Sequence, residues 1–230
     1  MSQVGVDTTA KGSGAPSDAE DLRSRTVVLI GGGSGIGLRV AHRVVAAGGR
    51  VVLGGRTASR LAAAATELGD AASWQASYEV GPMRELSDAA AASPFESKFW
   101  GQYHAVPLAA PKLAEDGSAV LMSGAASARP AGLAPAYVAC NAAIEGLGRG
   151  LAVELAPVRV NVISPGTVDG HLWSNRPDTA RTAAFDQYRR ETLLGRPATE
   201  DEIAHSVVYL FTNTFTTGST LYPDGGYTLR

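Results

Sequence analysis

Between Arg25 and Gly37 the chain reads Arg-Thr-Val-Val-Leu-Ile-Gly-Gly-Gly-Ser-Gly-Ile-Gly, an apolar β-branched run that breaks into five glycines within seven residues. Glycine lacks Cβ and tolerates positive φ. Such a turn can therefore be tight, and its backbone N–H groups can approach a pyrophosphate at the positive end of a following helix. The candidate phosphate-binding residues are Gly31, Gly33, Ser34, Gly35, Ile36 and Gly37. A second constellation is Tyr137 and Asn141, one helical turn apart and so on the same helix face. The four histidines, at 42, 104, 171 and 205, show neither metal-ligand spacing nor a nearby carboxylate pattern, and no metal is assigned. The single cysteine, Cys140, excludes an intrachain disulfide and a cysteine-cluster metal site, and reads as a small buried helix residue.

These groups need a scaffold to hold them. After the glycines, Leu38 to Ala47 continues at helical spacing, Gly48-Gly49 ends it, and Arg50 to Gly55 reads as a second strand. Strand, glycine loop, helix and strand within about thirty residues form a dinucleotide-binding fingerprint. An Ala-rich helix is expected over Thr57 to Leu68, and the start of a third strand over Ala71 to Gln75. A helix over Ser87 to Leu113, kinked at Pro94 and Pro107, precedes a strand at Ser118 to Met122 and a small-residue loop to Pro135. A long helix, Ala136 to Leu155, and a buried strand, Val158 to Ile163, follow. The segment 167–194 reads as a lid, with a helix at Phe185 to Leu194; a helix at Glu200 to Leu210 and a short strand at Ser219 to Tyr222 close the chain. Leu172 and Trp173 offer the lid's apolar surface to a substrate, His171 and Arg176 its polar groups; Trp173 serves equally well by packing the lid onto the sheet.

With 230 residues the chain fits one α/β domain with a sizeable core. A formal charge of -2 with no basic block gives no electrostatic footprint for nucleic acid, and no apolar run is long enough to span a membrane. Residues 1–24, rich in Ser, Gly, Asp and Thr without an apolar core segment, are expected to form a mobile tail and not a signal peptide. The expected compartment is cytoplasmic.

Four ordered elements, Gly31-x-x-x-Gly35-Ile-Gly37, a Tyr followed by a helix, Arg159-Val-Asn-Val-Ile-Ser-Pro-Gly166 and Thr217-Gly-Ser-Thr-Leu-Tyr-Pro-Asp-Gly-Gly226, resemble the short-chain dehydrogenase/reductase family across about Arg25 to Tyr227. The resemblance implies a Rossmann-like, doubly wound parallel α/β sheet in a single domain that binds NAD(H) or NADP(H). It implies hydride transfer to or from a carbonyl or alcohol carbon, and a homodimer or homotetramer. By charge, the residue at the end of the second strand decides between the cofactors: an acid bonds the ribose 2′-hydroxyl of NAD, an Arg the 2′-phosphate of NADP. Here that place holds Gly55-Arg56, which favours NADP(H), with Thr57 as a second phosphate contact. The resemblance adds Pro165, Gly166, Thr167 and Val168 to the cofactor contacts.

In the family a Tyr transfers the proton, a Lys one turn later lowers its pKa and holds the ribose, a Ser orients the carbonyl, and an Asn on an earlier helix holds a water beside the Lys. Tyr137 matches the first role. The Lys position is Asn141, able to bond a ribose hydroxyl without carrying charge, and the earlier helix has Lys98 where the Asn is expected. The pair looks like an exchange of side chains, with Lys98 supplying the ammonium from the opposite wall. The Ser position falls on Gly124, beside Ser123, which one extra loop residue would bring into place. Gly170 stands where the family has a Thr toward the nicotinamide, and Ile30 replaces the Thr that opens the glycine motif.

Between Gln75 and Gly81 the chain is about thirty residues short of the family pattern, comparable to a β-α-β crossover that would include the central fourth strand. Either the strands on the two sides pair directly, or a local segment such as Ser73 to Val80 fills the gap. The resulting expectation is an NADP(H)-dependent oxidoreductase with Tyr137 as acid/base. An NADP(H)-binding sensor or interaction protein without turnover is the alternative, and a non-redox lyase or isomerase a third.

Overall fold

The computed structural model describes residues 22–23, 25–55, 59–60, 63–64, 66, 71–73, 80–130, 132–174 and 176–230. The first unit is β1 (Thr26–Ile30), α1 (Gly35–Ala46) and β2 (Arg50–Gly55), with β1 and β2 parallel and Thr26 to Ile30 in register with Arg50 to Gly54. α1 buries Val40, Ala41 and Val44, and Gly48, at φ 80°, ends it by donating to Val45 O. β3 (Ala71–Ser73) adds to β2 on the side away from β1. Leu22, inside the stretch expected to be a mobile tail, is buried and donates its N–H to Ala47 O, so the packed chain begins earlier than expected.

The second unit opens on one helical run broken into three parts. α2 (Asp88–Pro94), capped by Ser87, gives way to a π turn over Phe95–Phe99 and then to α3 (Trp100–Ala109), with a 3-10 turn to Lys112. The expected kink at Pro94 is thus a widened turn, because proline has no N–H to continue the i to i−4 ladder. β4 (Ser118–Met122), α4 (Pro135–Glu154) and β5 (Arg159–Ile163) follow within a residue or two of expectation. The segment expected to form a lid contains β6 (Val168–Asp169), the single turn α5 (His171–Ser174) and α6 (Asp178–Glu191), which starts seven residues before the expected helix. β7 (Ala198–Thr199), α7 (Glu200–Thr212) and β8 (Thr220–Leu221) complete the chain, α7 beginning with a Thr199–Glu202 capping box.

The strands form two parallel three-stranded sheets, β1-β2-β3 and β4-β5-β8, with β6-β7 as a separate pair. Among the described residues β1 and β4 do not pair with each other, which removes the direct-pairing alternative. The segment beginning at Ala71 takes the third-strand place on β2 and not the gap; residues 74–79 lie outside the described residues. Instead a common core joins the halves. Leu29, Val40, Val44, Val51 and Leu53 of the first unit pack in one cluster with Ile163, Ile203, Val207, Val208 and Leu210 of the second, under α1 and α7. Each fully buried Val or Leu contributes about 1.5–3 kcal/mol, against a net 0.5–1.5 kcal/mol for a typical hydrogen bond, so this cluster can hold the two sheets together without a shared strand.

The other face is asymmetric. Val106, Leu121, Cys140, Ile144, Val160 and Val162 fill the space between α3, α4 and the second sheet. Over β1, by contrast, Val28 is 54% and Ile30 59% exposed. On β4, the Gln102 amide stands in for a neighbouring strand: it accepts from Met122 N–H at 2.7 Å and donates to Met122 O at 3.1 Å.

Candidate active site

The glycine loop has the shape its sequence implies. Gly31 and Gly35 lie at φ 89° and 58°, where a side chain would be strained. A Cβ on Gly32 would lie 2.6 Å from Leu53 Cδ2, and one on Gly37 would collide with the Gly31 carbonyl. Ser34, the N-cap of α1, is extended and its hydroxyl caps nothing, so no side chain of the cap covers the first-turn N–H groups of α1. Bare glycine backbone at an uncapped helix N-terminus fits a dinucleotide pyrophosphate. Arg56 and Thr57, expected at the 2′-phosphate, lie outside the described residues.

Pro165 to Val168 leave the end of β5. Pro165 O accepts from Ala125 N–H at 2.8 Å and Thr167 O from Ala198 N–H at 3.0 Å. Gly166 lies against the Tyr188 hydroxyl, which donates to Asp224 O at 2.6 Å; burial pushes the Tyr188 phenol up to about 12. His171 and Glu200 reach the glycine loop: a Cβ on Gly35 would stand 3.5 Å from His171 Cβ and 3.1 Å from Glu200 Oε1. Glu200 also accepts from His171 N–H at 2.7 Å and fills the space a Gly170 side chain would take, which accounts for glycine in the family's Thr position. Leu172 is exposed, whereas Trp173 packs edge-on against Phe185 at 5.5 Å with the Arg176 guanidinium 5.0 Å above it. Trp173 therefore braces α5 against α6.

Tyr137, Asn141 and Lys98 meet. The π turn carries the Lys98 ammonium to Asn141 Oδ1 at 2.5 Å and to Ser123 O at 2.8 Å, and leaves it 5.2 Å from the centre of the Tyr137 ring. Asn141 is fully buried and donates from Nδ2 to Tyr137 O at 2.8 Å, so both ends of its amide are engaged within the site. Ser123 does not bring its hydroxyl to Tyr137: the hydroxyl is buried and donates to Asn141 O at 2.9 Å, its contact with Lys98 being through the backbone carbonyl. The residue facing the Tyr137 hydroxyl is Gly124, whose Cβ would lie 3.4 Å from it and 3.3 Å from Asn141 Oδ1. The extra loop residue that would shift Ser123 into place is absent because Ser123 N–H and Ala125 N–H are both fixed, to Ile163 O and Pro165 O.

Two groups at the site carried no sequence expectation. Gln102 lies one turn beyond Lys98 and donates to Lys98 O at 3.1 Å as well as to β4. Glu145 follows Asn141 by one turn, and the stripe 137, 141, 145 could have revealed it. Cys140 is buried, with its thiol pushed up by burial and directed at Pro94 O. Among the described residues no group of His, Cys, Asp and Glu could hold a metal ion, and no helix is long and apolar enough to cross a membrane.

This arrangement of parallel strands and helices is that of a Rossmann-like α/β domain. Residues 70–228 match the family model described as Enoyl-(Acyl carrier protein) reductase and residues 25–80 the model described as short chain dehydrogenase; the chain belongs to the short-chain dehydrogenase/reductase family. An uncharacterized oxidoreductase of Schizosaccharomyces pombe is 40% identical over 100 residues, which span 40% of this chain and only 37% of that protein. Galactitol 2-dehydrogenase (L-tagatose-forming) of Cereibacter sphaeroides is 29% identical over 248 positions, covering 90% of this chain and 96% of that protein. That alignment is longer than the 230-residue chain, so the relative carries residues without a counterpart here. A solved short chain oxidoreductase of Pseudomonas aeruginosa PAO1, described as NADPH-bound with an atypical catalytic center, superposes with a TM-score of 0.78 at 25% identity over 90% of this chain and 97% of that one.

Proposed function

We propose that this protein is an NADP(H)-dependent oxidoreductase that moves hydride to or from a carbonyl or alcohol carbon, with Tyr137 as acid/base and Lys98 as the cation that prepares it. The observation that carries the reading is the Lys98 ammonium, held by Asn141 and Ser123 O within 5.2 Å of the Tyr137 ring. A free tyrosine, with a pKa of about 10, is ionised to only about one part in a thousand at pH 7, and a neighbouring cation favours the phenolate. Asn141 orients the lysine and does not replace it. A nicotinamide cofactor supplies the hydride; Gly31 to Gly37 and Pro165 to Val168 hold it, and Arg56 with Thr57 selects the 2′-phosphate. The NADPH-bound Pseudomonas protein supports the cofactor part of this reading. Leu172 borders the substrate, while Trp173 holds the lid that covers it. Exposed Trp100, Tyr103 and Leu108 on α3 and Val153 on α4 support assembly into a homodimer or homotetramer, in the cytoplasm.

Thermal shift with NADPH and NADH, followed by NADPH absorbance against a panel of ketones and aldehydes, tests the reading. NADPH raises Tm more than NADH does, and at least one carbonyl compound is reduced; no rise with either cofactor contradicts it. The absence of a hydroxyl at Gly124 favours a second reading, an NADP(H)-binding protein without turnover, for which NADPH raises Tm and no carbonyl in the panel is reduced.

A further inference from the structure

Behind the Tyr137 site a single carboxylate gathers four hydroxyls. Glu145 Oε1 accepts from Ser164 at 3.1 Å and from Ser127, and shares with Asn141 O the proton of the Ser123 hydroxyl at 3.3 Å, while Oε2 accepts from Tyr222 at 2.8 Å. The donors come from four segments: the end of β4, the 3-10 turn after it, the end of β5 and the residue after β8. Glu145 is 8% exposed. An ionised carboxylate only accepts, at about four lone-pair sites, and is tolerated when buried if donors meet them. This explains why the buried face of α4 carries an acid there.

The consequence lies one residue away. Ser123 O is one of the two acceptors that locate the Lys98 ammonium, and Glu145 helps fix Ser123 through its side chain. Ser127, whose hydroxyl donates to Glu145, also has that hydroxyl 3.0 Å from Gly124 O, and Gly124 is the backbone against which the Tyr137 hydroxyl stands. We propose that Glu145 is a positioning residue for the reaction, tying β4, β5 and β8 together so that the Ser123 carbonyl keeps Lys98 beside Tyr137. This rests on the reading of Tyr137 and Lys98 as the acid/base pair. The charged and titratable groups around them are Lys98 from the π turn and Cys140 and Glu145 from α4; Tyr222 and Arg149 in turn lie by Glu145.

The test reads Tyr137 ionisation without turnover, as the ultraviolet difference titration between each protein and its Tyr137→Phe counterpart, beside kcat for NADPH oxidation. Glu145→Ala moves the Tyr137 midpoint to higher pH and lowers kcat at pH 7 on the order of tenfold, with KM for NADPH little changed. Glu145→Gln keeps Oε1 as an acceptor for the serines and restores most of both. Val208→Ala, a core variant under α7, lowers Tm without moving the midpoint. If Glu145→Ala does not fold, the double variant Ser127→Ala, Tyr222→Phe moves the midpoint in the same direction. A Glu145→Ala or double variant that loses Tm with an unchanged midpoint overturns the proposal, as does a Glu145→Gln midpoint displaced as far as that of Glu145→Ala. A midpoint indifferent to Lys98→Met overturns the underlying acid/base reading instead.

Discussion

At position 141 an amide does what only an amide can do there: its oxygen receives the Lys98 ammonium and its nitrogen donates to the Tyr137 carbonyl one turn back. A second ammonium in its place would face Lys98 as a like charge, so the two positions are coupled and their identities are understood only as a pair. Lys98→Met is expected to lower kcat by about 100-fold or more and to shift the pH profile upward, since Tyr137 loses the cation that favours its phenolate. Gly124→Ala adds a Cβ 3.4 Å from the Tyr137 hydroxyl. It should reduce turnover while leaving NADPH binding intact, a split visible as lower kcat at constant thermal shift. Tyr137 and Asn141 are legible as a pair because they stand one turn apart on a single helix, whereas Lys98 is legible only through the family resemblance, since no local spacing ties it to them. Ser123 could not be assigned, because a loop's register depends on backbone bonds to Ile163 and Pro165 that no local pattern encodes.

The π turn is the element that makes the pair possible. Proline at 94 interrupts the helical ladder, and the widened turn Phe95–Phe99 carries Lys98 to Asn141. The sequence indicates a break at Pro94; which way the next turn faces is set by the packing of Phe95 and Phe99 against the second sheet's core. A second element is the start of α7. Arg196 and the Thr199 cap hold the Glu202 carboxyl at about 2, well below the usual carboxylate range. A depressed folded value means that the contribution is complete above the unfolded carboxylate range and is lost as pH falls through about 2. Glu202→Gln should therefore lower Tm at neutral pH, and thermal melts should show the gap to the wild type narrowing from about pH 4.3 downward. The pair is solvent-exposed, so the effect is small.

The whole molecule is a Rossmann-like sheet divided between β1 and β4, its halves joined by the α1 and α7 core. The length deficit is legible in the sequence only against the family pattern that the resemblance supplies. How the chain closes the deficit is not, because burial under α1 and α7 is a long-range matter and Gln102 acts as a surrogate strand from a helix. Gln102→Ala leaves the Met122 backbone without this partner and should cost about 1–3 kcal/mol in urea unfolding. Val28→Thr and Ile30→Thr change exposed positions and should move stability by no more than about 0.5 kcal/mol each. Their effect should appear instead as lower binding of a hydrophobic dye.

The exchange of Lys98 and Asn141 is tested most directly by kcat for NADPH-dependent carbonyl reduction in four proteins: wild type, Lys98→Asn, Asn141→Lys and the double variant. If the ammonium can serve Tyr137 from either wall, each single variant loses most of its turnover and the double variant regains most of it. Single variants that retain wild-type turnover, or a double variant whose loss is the sum of the two single losses, would contradict the exchange.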